Sequence, residues 1–364
     1  MTKKNKYYSL DNILKENAQY NVVFGERSNG KTYAGLLYGI KRYVEFGEQF
    51  ALIRRNNEDF IGKRSGAMFD GIEKNDEIRK ATRGEWSGIH YYASKWYFYR
   101  LDEKDAKIIS DEPFCYGFSL SSMEHDKSTS YPNVTTIIFD EFISRGLYLR
   151  DEFIMFMNVV STIIRDRQNV KIFMFGNTVN RYCPYFQEMG LTHVKDMKQG
   201  TIDVYTYGET ELRVAVEYTK PTQQGKKSDL YFAFDNPRLK MITTGGWEID
   251  IYPHCPYKYQ DKNIIFKYYI VFDNEILVCE IINKDLDLFT FIHKKTTPLQ
   301  EKPTDIIFSQ EYSPKPNYYR KITNPIDNIT QKIFNVLKKD KIFFADNLCG
   351  EIFRNYLIWC GKKI

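Results

Sequence analysis

Two glycines separated by four residues, then a lysine and a hydroxyl side chain, form the segment Gly25-Glu26-Arg27-Ser28-Asn29-Gly30-Lys31-Thr32. The spacing suits phosphate chemistry. Glycines let backbone amides turn inward around phosphate oxygens, and a helix opening at that point adds partial positive charge. Lys31 would bridge the β- and γ-phosphates, and the Thr32 hydroxyl would ligate magnesium. At ordinary residue frequencies, roughly one chain in a hundred of this length would carry the pattern by accident. Residues 25–32 are therefore a candidate nucleotide-binding loop.

A second group supplies the acids. Thr135-Thr136-Ile137-Ile138-Phe139-Asp140-Glu141 reads as an apolar strand that delivers two carboxylates at its C-terminal end. Ligand chemistry in open α/β sheets takes place at that edge. Asp140 would hold the magnesium through water, and Glu141 could take a proton from an attacking water as general base. The next strand-like run ends in Asn177, whose amide could touch the γ-phosphate or that water. An acidic strand end and a turn asparagine are the plainer accounts of the same residues. Arg165 and Arg167 end the helical run after the acidic strand. They either complement the helix dipole or act as arginine fingers in a neighbouring subunit's site. Lys127, in the polar loop 124–130, is a further trans-acting candidate. Arg54 and Arg55 close the second strand, where they could reach phosphates or a partner or mark an exposed sheet edge. Tyr7, Tyr8 and Gln19 precede the first strand, where adenine is often stacked or hydrogen-bonded.

The elements that must position these groups follow an alternating order. Tyr20–Phe24 reads as a buried strand, and Leu36, Leu37, Ile40, Tyr43 and Val44 recur at helical spacing. Phe50–Ile53, Thr135–Phe139 and Lys171–Phe175 are further strands, with a helix over Phe153–Ile164. Gly88–Leu101 reads as a hairpin inserted in the sheet order. This is the pattern of a parallel sheet with crossover helices. Thr219–Ser228 is polar and rich in structure breakers. Beyond it, Ile264–Phe272, Glu275–Ile282 and Leu286–His293 read as antiparallel strands, with Asp273-Asn274 at the first turn. Helical patterns cover Ile326–Leu337 and Gly350–Trp359. The expected division is a first domain over 1–219, a linker over 220–258 and a smaller α+β domain over 259–364.

Composition bounds the rest. The 52 basic and 47 acidic residues of the 364 leave a net charge of +5, which excludes a polycation and an acidic tail protein. An aromatic content of 16% is too high for a disordered chain. The six cysteines (Cys115, Cys183, Cys255, Cys279, Cys349 and Cys360) form no Cys-x-x-Cys pair, arguing against zinc and a disulfide framework. No signal peptide or membrane-length apolar run is apparent, so the expectation is a soluble protein of a reducing cytosol.

Several features together resemble the DNA encapsidation proteins, or genome-packaging ATPases, of small podophages of the phi-29 type. They are the loop Gly25–Thr32, the stretch Tyr116-Gly117-Phe118-Ser119-Leu120-Ser121 with Lys127-Ser128 following, Pro132-Asn133-Val134 leading into Ile137-Ile138-Phe139-Asp140-Glu141-Phe142, and Asn177. The resemblance covers roughly residues 1–200 well. It implies an α/β fold: a P-loop NTPase domain of the additional-strand, catalytic-glutamate, terminase-like class, joined to a C-terminal domain with a vestigial RNase H-like nuclease fold. It implies ATP and Mg2+ as cofactors, with Lys31 and Thr32 binding them, Asp140 and Glu141 serving hydrolysis, and Arg165 or Arg167 acting in trans. It implies a pentameric ring at the portal vertex of a prohead in the host cytoplasm, moving double-stranded DNA, in several members through a packaging RNA.

Two further expectations concern the second domain. Nuclease activity is expected to be absent, because Ile264–Phe272 carries no carboxylate at its middle and Asp273 falls in a turn. Lys332, Lys338, Lys339, Lys341 and Lys362-Lys363 are candidates for DNA, RNA or portal contact. Two rival readings remain at this level: another ring ATPase acting on nucleic acid, such as a helicase or plasmid-mobilising enzyme, and a P-loop nucleotide switch that does no mechanical work.

Overall fold

Val22, Val23 and Phe24 are branched or aromatic and have no exposure, so Tyr20–Gly25 (β1) lies in a sheet covered on both faces. The structure is a computed structural model that describes residues 7–125, 130–208, 211–221, 245–285, 287–339 and 341–361. The chain divides into two compact units, 1–247 and 248–364.

In the first unit β1 is followed by Gln49–Arg54 (β2), Gly88–Tyr92 (β3), Lys95–Leu101 (β4), Lys107–Ile109 (β5), Cys115–Ser119 (β6), Val134–Asp140 (β7), Lys171–Asn177 (β8), Thr201–Tyr207 (β9) and Leu212–Tyr218 (β10). They form one sheet in the order β3-β4-β6-β2-β7-β8-β1-β10-β9, with β5 on β4. The six strands from β6 to β10 along that order run parallel. Their C-terminal ends therefore share one edge, and the register sets Gly25 beside Asn177 and Phe175 beside Asp140. The strand that carries Asn177 lies between the one that carries Asp140 and the one that leads into the phosphate loop.

Alternation along each strand feeds two cores. Val22, Phe24, Ile137, Phe139, Ile172 and Met174 face one side. Val23, Phe50, Leu52, Ile138, Phe173 and Phe175 face the other, where the helix Lys31–Phe46 packs. That helix lies very close to the sheet. A Cβ on Gly35 would sit 2.3 Å from the Phe175 ring, and one on Gly39 2.5 Å from the Phe50 ring. These glycines, one helical turn apart, fix the height of the helix whose first residues are Lys31 and Thr32.

The structure departs from the sequence reading in three places. The hairpin Gly88–Leu101 extends the sheet at one edge, β4 pairing β6 through Lys95 and Trp96, and does not enter the parallel core. No strand is expected over Cys115–Ser119, yet β6 pairs β2 along its whole length. Gly117 hides it by propensity, but a Cβ there would meet the Phe60 ring at 2.7 Å. β9 and β10 add an antiparallel pair beside β1, where the sequence reading assigns no strand. Most of the polar segment 219–228 lies outside the described residues. The chain is described again from Gly245, and Trp247 stacks on Phe24 at 5.2 Å.

The second unit holds a six-stranded sheet: Ile264–Phe272 (β11), Glu275–Lys284 (β12), Asp287–Lys294 (β13), Ile307–Ser309 (β14), Tyr318–Tyr319 (β15) and Ile342–Phe344 (β16), in the order β15-β14-β11-β12-β13-β16. β11, β12 and β13 form an antiparallel meander, while β14 pairs parallel to β11. Asp273 and Asn274 both take positive φ, 53° and 61°, as a two-residue hairpin turn requires. The two helices begin at Asp327 and Asp346, each of which accepts a backbone N–H at its own N-terminus, at 2.8 and 2.7 Å. Lys341 is ion-paired with Asp287, and Lys338 lies over the Phe334 ring at 4.4 Å. Lys332 and Lys339 are exposed, while Lys362 and Lys363 lie outside the described residues.

Candidate functional site

β1 ends at Gly25, where φ is 154° and a Cβ would stand 2.1 Å from Thr219 Oγ1 at the end of β10. Gly30 closes the loop at φ 94°, the left-handed residue from which the helix starts. Between them Asn29 is buried, and its amide donates to Thr219 Oγ1 at 3.1 Å. The loop is thus pinned by the strand neighbouring β1.

Lys31 is only 5% exposed. Its ammonium donates to the Glu26 carbonyl at 2.7 Å, to Asn29 Oδ1 at 3.1 Å and to Asn177 Oδ1 at 3.3 Å. Burial pushes its pKa down to about 8, against the opposing pull of Asp140 and Glu26. A buried ammonium held by neutral acceptors is well suited to an anionic ligand, whose charge would compensate the lost hydration.

The Thr32 hydroxyl donates to Asp140 Oδ1 at 2.8 Å. Asp140 is buried, and desolvation pushes its carboxyl up despite the counteracting Arg54 charge and Thr32 hydroxyl, with Glu141 adding to the rise. A hydroxyl and an under-neutralised carboxylate in contact form an oxygen donor set that fits Mg2+, an ion commonly held by one or two carboxylates together with substrate phosphates. These two residues would hold it.

Glu141 has a positive φ of 59°, a conformation costing roughly 1–3 kcal/mol for a residue with a side chain. Its side chain is 65% exposed, and Oε2 pairs with Arg54 Nη1 at 2.8 Å. The same guanidinium reaches Asp140 Oδ2 through Nη2 at 3.2 Å. Arg54 therefore spans both acids. A cleft of about 200 Å3 opens between residues 28–33, 140–141 and 175–177, so Lys31, Thr32, Asp140, Glu141 and Asn177 share one site.

The remaining candidates fall elsewhere. Arg55 is neither a phosphate contact nor an exposed edge. Its side chain is largely covered, with Nε 2.8 Å from Glu152 Oε2. Arg167 donates to five backbone carbonyls, of Tyr131, Pro132, Val134, Ile163 and Ile164, at 2.6–3.2 Å. It clasps the end of the helix Glu152–Ile164 to the start of β7, about 20 Å along that strand from Asp140. Arg165 is exposed at the same helix end. Neither arginine can serve the Asp140 of its own chain. Lys127 lies outside the described residues.

Tyr7 packs against Gly30, and Tyr8 donates its hydroxyl to Glu217 at 2.7 Å and its backbone N–H to the Asn29 carbonyl at 2.9 Å. Both flank the loop. Gln19 does not: it sits at the opposite end of β1, bonded to the Arg213 backbone. Sequence reasoning missed the bridging role of Arg54, together with Glu152 and Tyr185 behind it. Glu152 stands 97 residues from Arg55, and no local pattern links them.

A family model described as Podovirus DNA encapsidation protein (Gp16) matches residues 1–229. The DNA packaging proteins of Bacillus phages phi29 and B103 are 29% identical over 186 residues and 32% identical over 189, each match covering 50% of this chain and 50% of the relative. The chain thus spans about half the length of the curated relatives it matches. Among solved structures, the Phi-28 gp11 DNA packaging motor superposes with a TM-score of 0.54 at 18% identity, over 99% of this chain and 100% of that one. The bacteriophage Phi-29 genome packaging motor assembly gives 0.55 at 18% identity, over 99% of each chain. At such identity these two show a shared fold. The matched region 1–229 contains the phosphate loop, Arg54, both strand-end acids and Asn177, and the chain belongs to the Podovirus DNA encapsidation protein (Gp16) family.

Proposed function

We propose that the protein is an ATP-driven motor that moves viral double-stranded DNA into a preformed prohead, hydrolysing ATP with Mg2+ in a ring of subunits. One observation carries this reading: Lys31, the Thr32–Asp140 pair, Glu141 and Asn177 converge at one sheet edge inside the family-matched region. Magnesium, when bound, neutralises phosphate charge as it develops. Lys31 exchanges its loop acceptors for the β- and γ-phosphates. Glu141 takes the proton of the attacking water, hydroxide adds to the γ-phosphorus, and ADP departs. Asn177, already bonded to Lys31, feels the loss of the γ-phosphate and reports it along β8. The position of β8 between β7 and β1 supports the additional-strand, catalytic-glutamate class.

Arg165 or Arg167 completes a neighbour's site, with Lys127 a further trans-acting group. Because Arg167 is clasped by carbonyls, the two separate cleanly. Arg165→Ala is expected to lose hydrolysis with its unfolding midpoint kept, and Arg167→Ala to lose both. The expected assembly is a pentamer at the portal in the host cytoplasm, with a packaging RNA as the candidate adaptor. No helix among the described residues is long and apolar enough to cross a membrane.

The second unit reads as a nuclease-like fold without nuclease activity. Support comes from the β11–β12–β13 meander continued by β14 parallel to β11, an RNase H-like order. β11 carries no aspartate or glutamate along its length, where a metal-dependent nuclease would place one. Manganese-dependent nicking of supercoiled DNA by the purified protein, abolished by changing Asp273, would overturn this part.

The deciding experiment is ATP hydrolysis with and without double-stranded DNA and matched proheads, with Glu141→Gln as control. Stimulation by both, DNA protected from nuclease and an inactive variant are the expected results. Hydrolysis indifferent to both additions would leave a nucleotide switch as the better account. Strand displacement would point to a helicase.

A further inference from the structure

The turn after β7 must hold Glu141 at positive φ, which no feature of its own sequence favours. What over-determines that conformation lies in three other elements. Arg55, following β2, donates Nη1 to the Glu141 carbonyl at 3.3 Å and Nη2 to the Phe142 carbonyl at 2.9 Å. Its Nε meets Glu152 Oε2 at 2.8 Å, and its guanidinium lies 5.0 Å above the Tyr148 ring. Glu152, at the start of the next helix, has a side chain only 1% exposed. Its carboxylate accepts on both oxygens: Oε2 also takes the Leu149 N–H at 2.8 Å, and Oε1 takes the Tyr185 hydroxyl at 2.9 Å. Tyr185 itself has no exposure and belongs to the short helix Pro184–Glu188, beyond Asn177.

A buried ion pair is a poor device for stability, because apolar residues of similar volume often do as well or better. This pair spends its guanidinium on two carbonyls that bracket one functional residue. We propose that Arg55, anchored by Glu152 and Tyr185, is a positioning residue that sets the Glu141 backbone and so aims its carboxylate at the attacking water. Arg54 and Arg55 thereby divide the turn between them, the first holding carboxylates and the second holding carbonyls. The inference rests on the reading of Glu141 as general base.

Steady-state ATP hydrolysis by the full chain, with nucleotide affinity measured separately using a non-hydrolysable ATP analogue and Mg2+, tests it. Arg55→Lys keeps the charge but cannot grip both carbonyls; Glu152→Gln keeps the shape and one acceptor oxygen but removes the charge that orients Arg55. Both are expected to lower kcat about tenfold or more while analogue affinity stays within about twofold, since each weakens hydrogen bonds that involve a charged group. Tyr185→Phe leaves the aromatic packing intact, deletes only the bond to Glu152, and is expected to lower kcat about threefold. Unchanged kcat in all three, or kcat and affinity falling together with the unfolding midpoint, overturns the proposal. Should the first two variants not fold, Tyr185→Phe decides by the same criterion. Glu141→Gln measured in parallel separates the two levels. If it retains hydrolysis, the general-base reading fails; if it is inactive while the other variants are normal, only the positioning role fails.

Discussion

One buried acid in each unit, Asp140 at 5% exposure and Glu280 at 6%, lies at nearly the same depth, and the two are driven in opposite directions. Burial pushes the Asp140 carboxyl up, and Arg54 with the Thr32 hydroxyl does not undo this. Burial pushes Glu280 up as well, but His293, Lys267 and Tyr259 outweigh it and hold that carboxyl at about 2. Glu280 Oε1 lies 2.7 Å from Lys267 Nζ and 3.8 Å from His293 Nε2, and Oε2 accepts the Tyr259 hydroxyl at 2.9 Å. Depth alone therefore says little about purpose. A carboxylate under-neutralised by its own chain is suited to a cation from outside, whereas one surrounded by donors serves to tie strands together.

The comparison can be broken most sharply at the first site. Asp140→Asn and Glu141→Gln are expected to lower ATP hydrolysis by about 10² to 10⁴, while stability shifts by no more than about 0.5 kcal/mol, because relief of the buried charge offsets the lost contacts. A loss of several kcal/mol in Asp140→Asn, seen by denaturant unfolding, would show that this acid is structural after all.

Glu280→Ala should behave in the opposite way. It leaves the Tyr259 hydroxyl and the Lys267 ammonium without their acceptor, at a cost of about 1–3 kcal/mol, and leaves hydrolysis intact. Its pH signature follows from the lowered value. The stability Glu280 contributes is present above its ordinary value near 4.5 and is lost as pH falls toward about 2. Acid unfolding of Glu280→Gln should accordingly have a shallower slope between those limits. An identical slope would remove the contrast between the two acids.

The smallest expected effect concerns Lys31. With its value near 8 in the free protein, the ammonium is charged at pH 7 and largely neutral at pH 9. Nucleotide affinity should be flat below pH 8 and weaken about tenfold by pH 9, one pH unit past the pKa. Affinity constant from pH 7 to 9 would show that the loop holds Lys31 charged at all these values.

How much was legible beforehand follows from the range of each interaction. The phosphate loop, the acidic strand end and Asn177 are local patterns, and each stands at the expected strand end. Arg54 and Arg55 are adjacent in sequence and equally basic, so composition treats them alike. Their different tasks depend on which partners, 86 to 97 residues away, the fold sets beside each. β6 escaped notice because glycine, cysteine and serine weaken its strand signal, and only the Phe60 and Trp96 rings explain why Gly117 is needed there. Arg167 reads as a helix-end cation, which it is, but its grip on the start of β7 belongs to tertiary structure.

By itself, then, the sequence determined the kind of chemistry, because phosphate binding needs glycines, a lysine and a hydroxyl at short fixed spacing on one strand-helix junction. It also determined the edge at which that chemistry occurs, because parallel strands present their C-terminal ends together. Only the tertiary structure decided which charges are neutralised and which are left waiting. Burial and hydrogen bonding depend on residues from about a dozen to more than a hundred positions apart, and a carboxylate's readiness for a cation is a property of that assembled surrounding.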